Sequence, residues 1–185
     1  MNLSISHPSR REANETDRNA GSPSRGGENV RLTSFTDYSL RVLIFLGTDP
    51  DRRATIGEIA RTFAISENHL MKVVHLLGKA GLLANVRGKG GGLELARAPE
   101  AINIGKVVRI TEGRPLPAEC FDPQNNRCVI TPVCKLRNVL ADAVKAFYAV
   151  LDQYTLADLL RNRHALAKVL LGNAARPPRM PVKVS

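Results

Sequence analysis

The first 29 residues, MNLSISHPSRREANETDRNAGSPSRGGEN, carry no apolar period and are rich in Ser, Asn, Arg, Gly and Pro. Such a stretch buries too little apolar surface to offset the entropy of ordering, so it reads as a disordered extension. The functional protein is expected to begin near Val30. From Leu32 the character changes. Leu40, Leu43 and Ile44 repeat at helical spacing behind the capping candidates Thr33, Ser34 and Thr36, which predicts a helix over about Thr36–Leu46. Thr55, with Glu58 three residues later, has the form of a capping box. Ile56, Ile59, Ala60 and Phe63 then lie at i, i+3, i+4 and i+7, a short helix ending near Phe63. Ser66 can cap the next helix, whose apolar stripe is Leu70, Val73, Val74 and Leu77. Asn68, Lys72, His75 and Lys79 fall on its opposite face.

Two short strands follow, Leu83–Arg87 and Leu93–Ala96, joined by Gly88-Lys89-Gly90-Gly91-Gly92. This is a hairpin of the wing type. The glycines do not make a nucleotide loop, because no Gly-Lys-Ser or Gly-Lys-Thr and no suitable following helix accompany them. Ile104–Thr111 reads as a further short helix, and 113–132 as an ordered loop. From Leu136 a long helix is predicted, with Leu136, Leu140, Val144, Phe147, Leu151 and Tyr154 at spacings close to a heptad seam. Thr155 can cap a last helix, Leu156 to about Leu171, before a Pro-rich tail.

The fold class expected is mainly α with a small β-hairpin wing: a winged helix-turn-helix plus a long C-terminal dimerisation helix. The domains would be a disordered extension (1–29), the DNA-binding domain (30–112), a cysteine-containing loop (113–134), dimerisation helices (135–171) and a disordered basic tail (172–185). The long seam favours a homodimer.

Charge sharpens this picture. The chain of 185 residues has 27 basic and 17 acidic residues, a formal net charge of +10. That excess suits a polyanionic partner. Residues 161–185 hold six Arg and Lys and no acid, which adds non-specific attraction to phosphates or is simply a solvated tail. On the helix from Ser66 to Lys79, the residues Ser66, Asn68, His69 and Lys72 stand in the N-terminal part, where a recognition helix meets base edges of double-stranded DNA. Arg87, Lys89 and Arg97 are placed to meet backbone phosphates from the wing. Two copies would read an inverted repeat. No stretch approaches a membrane span and no secretory signal is visible, so a cytoplasmic, membrane-free protein is expected. No acid–base or nucleophilic constellation points to an enzyme.

Three cysteines remain, Cys120, Cys128 and Cys134, with seven residues between the first two and five between the last two. An odd number fits poorly with a closed disulfide framework. Thiolates are soft ligands suited to iron–sulfur clusters or zinc. The spacing is neither that of a zinc knuckle nor of a ferredoxin. A metal site, a redox dithiol and three unrelated thiols all remain open on the residues alone, as do a redox enzyme and a zinc-stabilised interaction module.

The runs Arg31-Leu32-Thr33-Ser34-Phe35-Thr36-Asp37-Tyr38-Ser39-Leu40-Arg41 and Ser66-Glu67-Asn68-His69-Leu70-Met71-Lys72-Val73-Val74 resemble the Rrf2 family of winged-helix regulators. So does the wing Arg87-Gly88-Lys89-Gly90-Gly91-Gly92. Glu119-Cys120-Phe121, the three-cysteine spacing and Tyr154-Thr155-Leu156-Ala157-Asp158-Leu159-Leu160 are similar to the nitric-oxide-sensing branch of that family. Another branch carries a His three residues past its last cysteine, where this chain has Arg137. The resemblance spans roughly residues 30–162. It implies a repressor whose operator affinity is set by an iron–sulfur cluster, 4Fe-4S being favoured over 2Fe-2S. Cys120, Cys128 and Cys134 would be ligands, with Asp37 from the other subunit as the fourth. Read locally, Asp37 and Arg41 are four apart and would form a helix ion pair.

Overall fold

The computed structural model describes residues 31–113 and 117–172. The extension 1–29 and nearly all of the tail expected over 172–185 lie outside the described residues. The chain divides after Arg31, and every described helix and strand belongs to the unit from Leu32 onward.

Helix α1 (Ser34–Thr48) begins where the Thr33 side chain accepts from the Thr36 N–H, at 3.2 Å, and stops two residues before Pro50. It is longer than the expected 36–46 because its last turn is held internally: the Thr48 hydroxyl donates to the Ile44 carbonyl at 2.8 Å. Helix α1 is the centre of the domain. Val42, Leu43, Phe45 and Leu46 are buried, and the helix packs on most of the remaining elements.

Helix α2 (Ile56–Phe63) has Thr55 as its cap, its side chain accepting from the Glu58 N–H. The reciprocal half of the expected capping box is not made, because the Glu58 carboxylate pairs with Arg52 instead. Helix α3 (Glu67–Lys79) follows after a turn in which Ala64 takes a left-handed conformation with φ 53°. Ser66 is the N-cap by position, yet its side chain makes no capping bond. Leu70, Val73 and Leu77 of α3 are buried as the stripe requires, with Val74 at its edge.

The wing is β1 (Leu83–Val86) antiparallel to β2 (Gly92–Leu95), with Leu83 opposite Leu95 and Val86 opposite Gly92. Ala54 adds a bridge to Leu93, which fastens the wing to the segment ahead of α2. The connecting turn needs glycine at Gly88 and Gly90, whose φ values are 94° and 77°.

Helix α4 (Ile104–Glu112) is capped by the Asn103 side chain. Helix α5 (Lys135–Leu151) is the long C-terminal helix, and it ends before Tyr154. Tyr154 therefore does not extend the predicted seam. Its carbonyl accepts from the Ile104 N–H at 2.9 Å, so the chain leaving α5 is stitched to the start of α4. The single helix expected over 156–171 is two: α6 (Leu156–Leu159), opened by a reciprocal Thr155–Asp158 capping box, and α7 (Arg163–Leu170). The break between them lets Leu160 turn inward, where it is 7% exposed. Its side chain lies over Gly47 of α1 at a spacing that leaves no room for a Cβ.

Helix α5 differs from the rest in having no buried residue. Phe147, Tyr148 and Leu151 are half-buried against the domain core, so part of the predicted seam already faces its own domain. A second row, Leu136, Val139, Ala143, Ala146 and Val150, alternates by three and four residues along the same helix. Its large members Leu136, Val139 and Val150 are 61%, 61% and 55% exposed. No described helix is long and apolar enough to cross a membrane.

Candidate nucleic-acid interface and cysteine loop

Because Leu70, Val73 and Leu77 fix one side of α3 to the core, the opposite side must face outward. Asn68, Lys72, His75 and Lys79 are exposed there, and Ser66 and His69 are exposed at the start of the helix. His69 sits on the flank nearest α1: its ring centroid is 6.3 Å from that of Tyr38. Arg87 and Lys89 are exposed on the wing, on either side of Gly88. Arg97 is exposed at the base of the wing. Its Nε donates to the Gly81 carbonyl at 2.9 Å, and it braces the base of the wing against the end of α3. Arg53 supports the wing similarly, donating to Glu94 at 2.7 Å and to the Gly90 carbonyl at 3.3 Å. Arg53 has no pattern in sequence that would mark it, since its partners lie far away in the chain, whereas Arg97 is visible in sequence as a wing cation but not as a brace.

Asp37 occupies the first turn of α1 and forms a two-point ion pair with Arg41, with contacts of 2.7 and 3.0 Å. The local reading of Asp37 is thus what a single protomer shows. Both side chains are 43% exposed, and Arg41 also lies 5.8 Å from the Phe63 ring centroid. The start of α1 is tied to the end of α4. The Thr33 N–H and hydroxyl donate to the Glu112 carboxylate at 2.8 and 3.0 Å, and the buried Thr36 hydroxyl donates to Thr111 at 2.9 Å. Burial acts to raise the Glu112 carboxyl, but hydrogen bonds from the Thr33 N–H and hydroxyl oppose it, and Glu112 is held below the ordinary glutamate range.

Cys120, Cys128 and Cys134 are all free thiols and all half-buried. The segment carrying them is braced by hydrogen bonds. The Cys128 N–H donates to Asn126, and the Thr131 hydroxyl donates to the Cys128 carbonyl at 2.8 Å. The Arg127 N–H donates to Glu119, and Arg137 of α5 donates to the Cys120 carbonyl at 3.2 Å while its guanidinium stands 5.3 Å from the Phe121 ring. Asn126, Thr131 and Arg137 have no pattern in sequence that would mark them. Arg137, which in sequence is only a departure from a His, braces the Cys120 turn.

Among the described residues no three His, Cys, Asp or Glu side chains converge as the ligands of one metal ion. The donor set is nonetheless chemically suited to a cluster: three soft thiols without disulfides on one braced segment, and a carboxylate at the start of α1. At the far end of α5, Asp152 holds Arg109 of α4 through contacts of 2.5 and 2.7 Å. The Arg109 guanidinium also lies 4.4 Å over the Tyr148 ring. The hydrogen bond from Arg109 lowers the Asp152 carboxyl.

Comparison with known proteins bears on this arrangement. The Rrf2 family model, described as an iron-dependent transcriptional regulator, matches residues 32–162. The chain is 52% identical over 142 residues to the HTH-type transcriptional regulator NsrR of Bacillus subtilis, covering 76% of this chain and 97% of that one. It is 50% identical to NsrR of Geobacillus kaustophilus, with coverage of 76% and 97%. Among solved structures, T. potens IscR aligns with a TM-score of 0.59 at 28% identity, over 72% of this chain and 88% of that chain. The CymR structure from Staphylococcus aureus aligns with a TM-score of 0.56 at 27% identity, over 70% and 97%. The fold of those neighbours is the winged helix, and the relatives are transcriptional regulators rather than enzymes. The chain belongs to the Rrf2 family of transcriptional regulators.

Proposed function

We propose that this protein is a cytoplasmic, homodimeric DNA-binding repressor whose operator affinity is controlled by an iron–sulfur cluster reactive toward nitric oxide. One observation carries the reading beyond the family. Three free, half-buried thiols lie on one braced segment, and the Asp37 carboxylate stands 43% exposed in the first turn of α1.

Cys120, Cys128 and Cys134 hold the cluster, 4Fe-4S in preference to 2Fe-2S, and Asp37 of the second protomer completes its ligands. The cluster, when bound, supplies iron that nitric oxide can attack. A carboxylate is a harder and weaker partner for iron than a thiolate, so Asp37 is the ligand most readily given up. Ligation across the dimer would compete with the pairing of Asp37 to Arg41. Helix α1 packs on α3, and Tyr38, the neighbour of Asp37, adjoins His69 on the reading helix. A change at Asp37 is therefore transmitted to α3 through one packed layer, which gives the cluster state a differential contact with the reading surface.

On DNA, α3 enters the major groove of each half of an inverted repeat. Asn68, His69 and Lys72 face base edges, Ser66 stands at the helix start, and Arg87 and Lys89 hold phosphates from the wing. The exposed α5 row supports the dimer, because its apolar side chains have no cover in one protomer. The test is anaerobic purification followed by iron and sulfide analysis of wild type and of Cys120→Ser, Cys128→Ser and Cys134→Ser. Wild type should be brown and hold iron and acid-labile sulfide in equal amounts, and each serine variant should lose them. A colourless wild type holding zinc would refute the cluster.

A further inference from the structure

We infer that Met71 is a sequence-reading residue of α3, taking the C5 methyl of a thymine in the major groove; the inference rests on the DNA-binding role proposed for α3. Asn68, Met71, Lys72 and His75 stand at i, i+3, i+4 and i+7. That spacing makes them one continuous strip along a helix. The strip lies opposite Leu70, Val73 and Leu77, which anchor α3 to the core. Met71 is 49% exposed. It is thus a large, unbranched apolar side chain set among an amide, an ammonium and an imidazole on the outward face.

The thymine methyl is the one bulky apolar group on the base edges of the major groove, set among donors and acceptors. A helical side chain leans toward the N-terminal turn, which brings Met71 beside Asn68. Asn68 is suited to the N6 and N7 edge of adenine. The pair therefore matches neighbouring A·T pairs, with the amide on adenine and the thioether arm on thymine. Methionine suits such a contact because its unbranched arm adapts to the methyl position at small cost. Removing one methyl from the contact weakens binding about fourfold per half-site.

The experiment uses the full chain, purified anaerobically, and random duplex DNA. Wild type, Met71→Ala and Met71→Leu are each put through selection for bound sequences, and thymines in the wild-type consensus are then replaced one at a time by deoxyuridine, which lacks only the methyl. The expected result is one symmetry-related thymine position where deoxyuridine costs wild type and Met71→Leu about fourfold and costs Met71→Ala nothing. Met71→Ala should also lose its preference at that position while keeping the rest of the consensus. Equal sensitivity to deoxyuridine in wild type and Met71→Ala, or no sensitive thymine, overturns the assignment while leaving DNA reading by α3 intact. Failure of wild type to select any consensus overturns both together.

Discussion

Replacing Val139 separates the surface that joins two protomers from the surface that holds α5 to its own domain. Val139 lies in the row Leu136, Val139, Ala143, Ala146 and Val150 and is 61% exposed in one protomer. Val139→Ala removes two methyl groups, each worth about 0.8 kcal/mol when fully buried. With the residue 61% exposed and still to be covered, the loss is about 1 kcal/mol per protomer. A two-fold interface contains the residue twice, so the dimer loses about 2 kcal/mol, a dissociation constant raised about 25-fold. Val139→Asp would place an unpaired carboxylate in the apolar seam and should leave a folded monomer at micromolar concentration. Phe147 behaves otherwise. It packs half-buried on the domain core, so Phe147→Ala should cost about 2 kcal/mol of folding stability in addition to any effect on association. Sedimentation equilibrium with a thermal melt on each variant reads both effects. A Val139→Asp protein that remains as dimeric as wild type, or a wild type monomeric at tens of micromolar, would refute the assignment of this row.

Ala64 holds φ 53° at the end of α2, where glycine carries no steric penalty; Ala64→Gly should therefore raise stability by about 1 kcal/mol, read by denaturant unfolding. Glu112 is held below the ordinary glutamate range, so its stabilisation is complete above the unfolded value of 4.5 and is lost as pH falls through the lower native value. Melts between pH 6 and roughly 3 should show a smaller acid loss for Glu112→Gln than for wild type, and parallel curves would contradict the role of the Thr33–Glu112 contact. On DNA, Asn68→Ala should relax sequence preference, whereas Lys89→Ala should weaken all sequences about equally and lower the salt slope by about one. Competition binding at several salt concentrations distinguishes the two.

Periodicity carried most of the fold because the core is aliphatic and helical. Leu70, Val73 and Leu77 are buried where their spacing puts them, and the wing glycines sit at the turn their residue type suggests. The departures share a cause: polar partners that hydrophobic periodicity does not mark. Glu58 turns to Arg52 rather than to its own cap, and Tyr154 leaves the helix to pair with Ile104. The α5 seam departs from its expected form for a related reason. Its apolar arc is wide enough for two rows, and periodicity alone cannot say which row meets α4 and which stays open. At the site, the cysteines and the outward residues of α3 are visible as residue types, but Asn126, Thr131 and Arg137, which brace the loop, are ordinary polar residues until the chain is folded. Asp37 is legible both as a local ion pair and, by resemblance, as a ligand; one protomer displays the first.

The most direct test of cluster control is a gel-shift titration of the anaerobic, cluster-loaded protein with nitric oxide, on the duplex sequence it selects. The account predicts tight binding before addition and progressive release as nitric oxide consumes the cluster, with Asp37→Ala keeping a cluster whose state no longer governs binding. Equal DNA affinity before and after complete reaction of the cluster would contradict it.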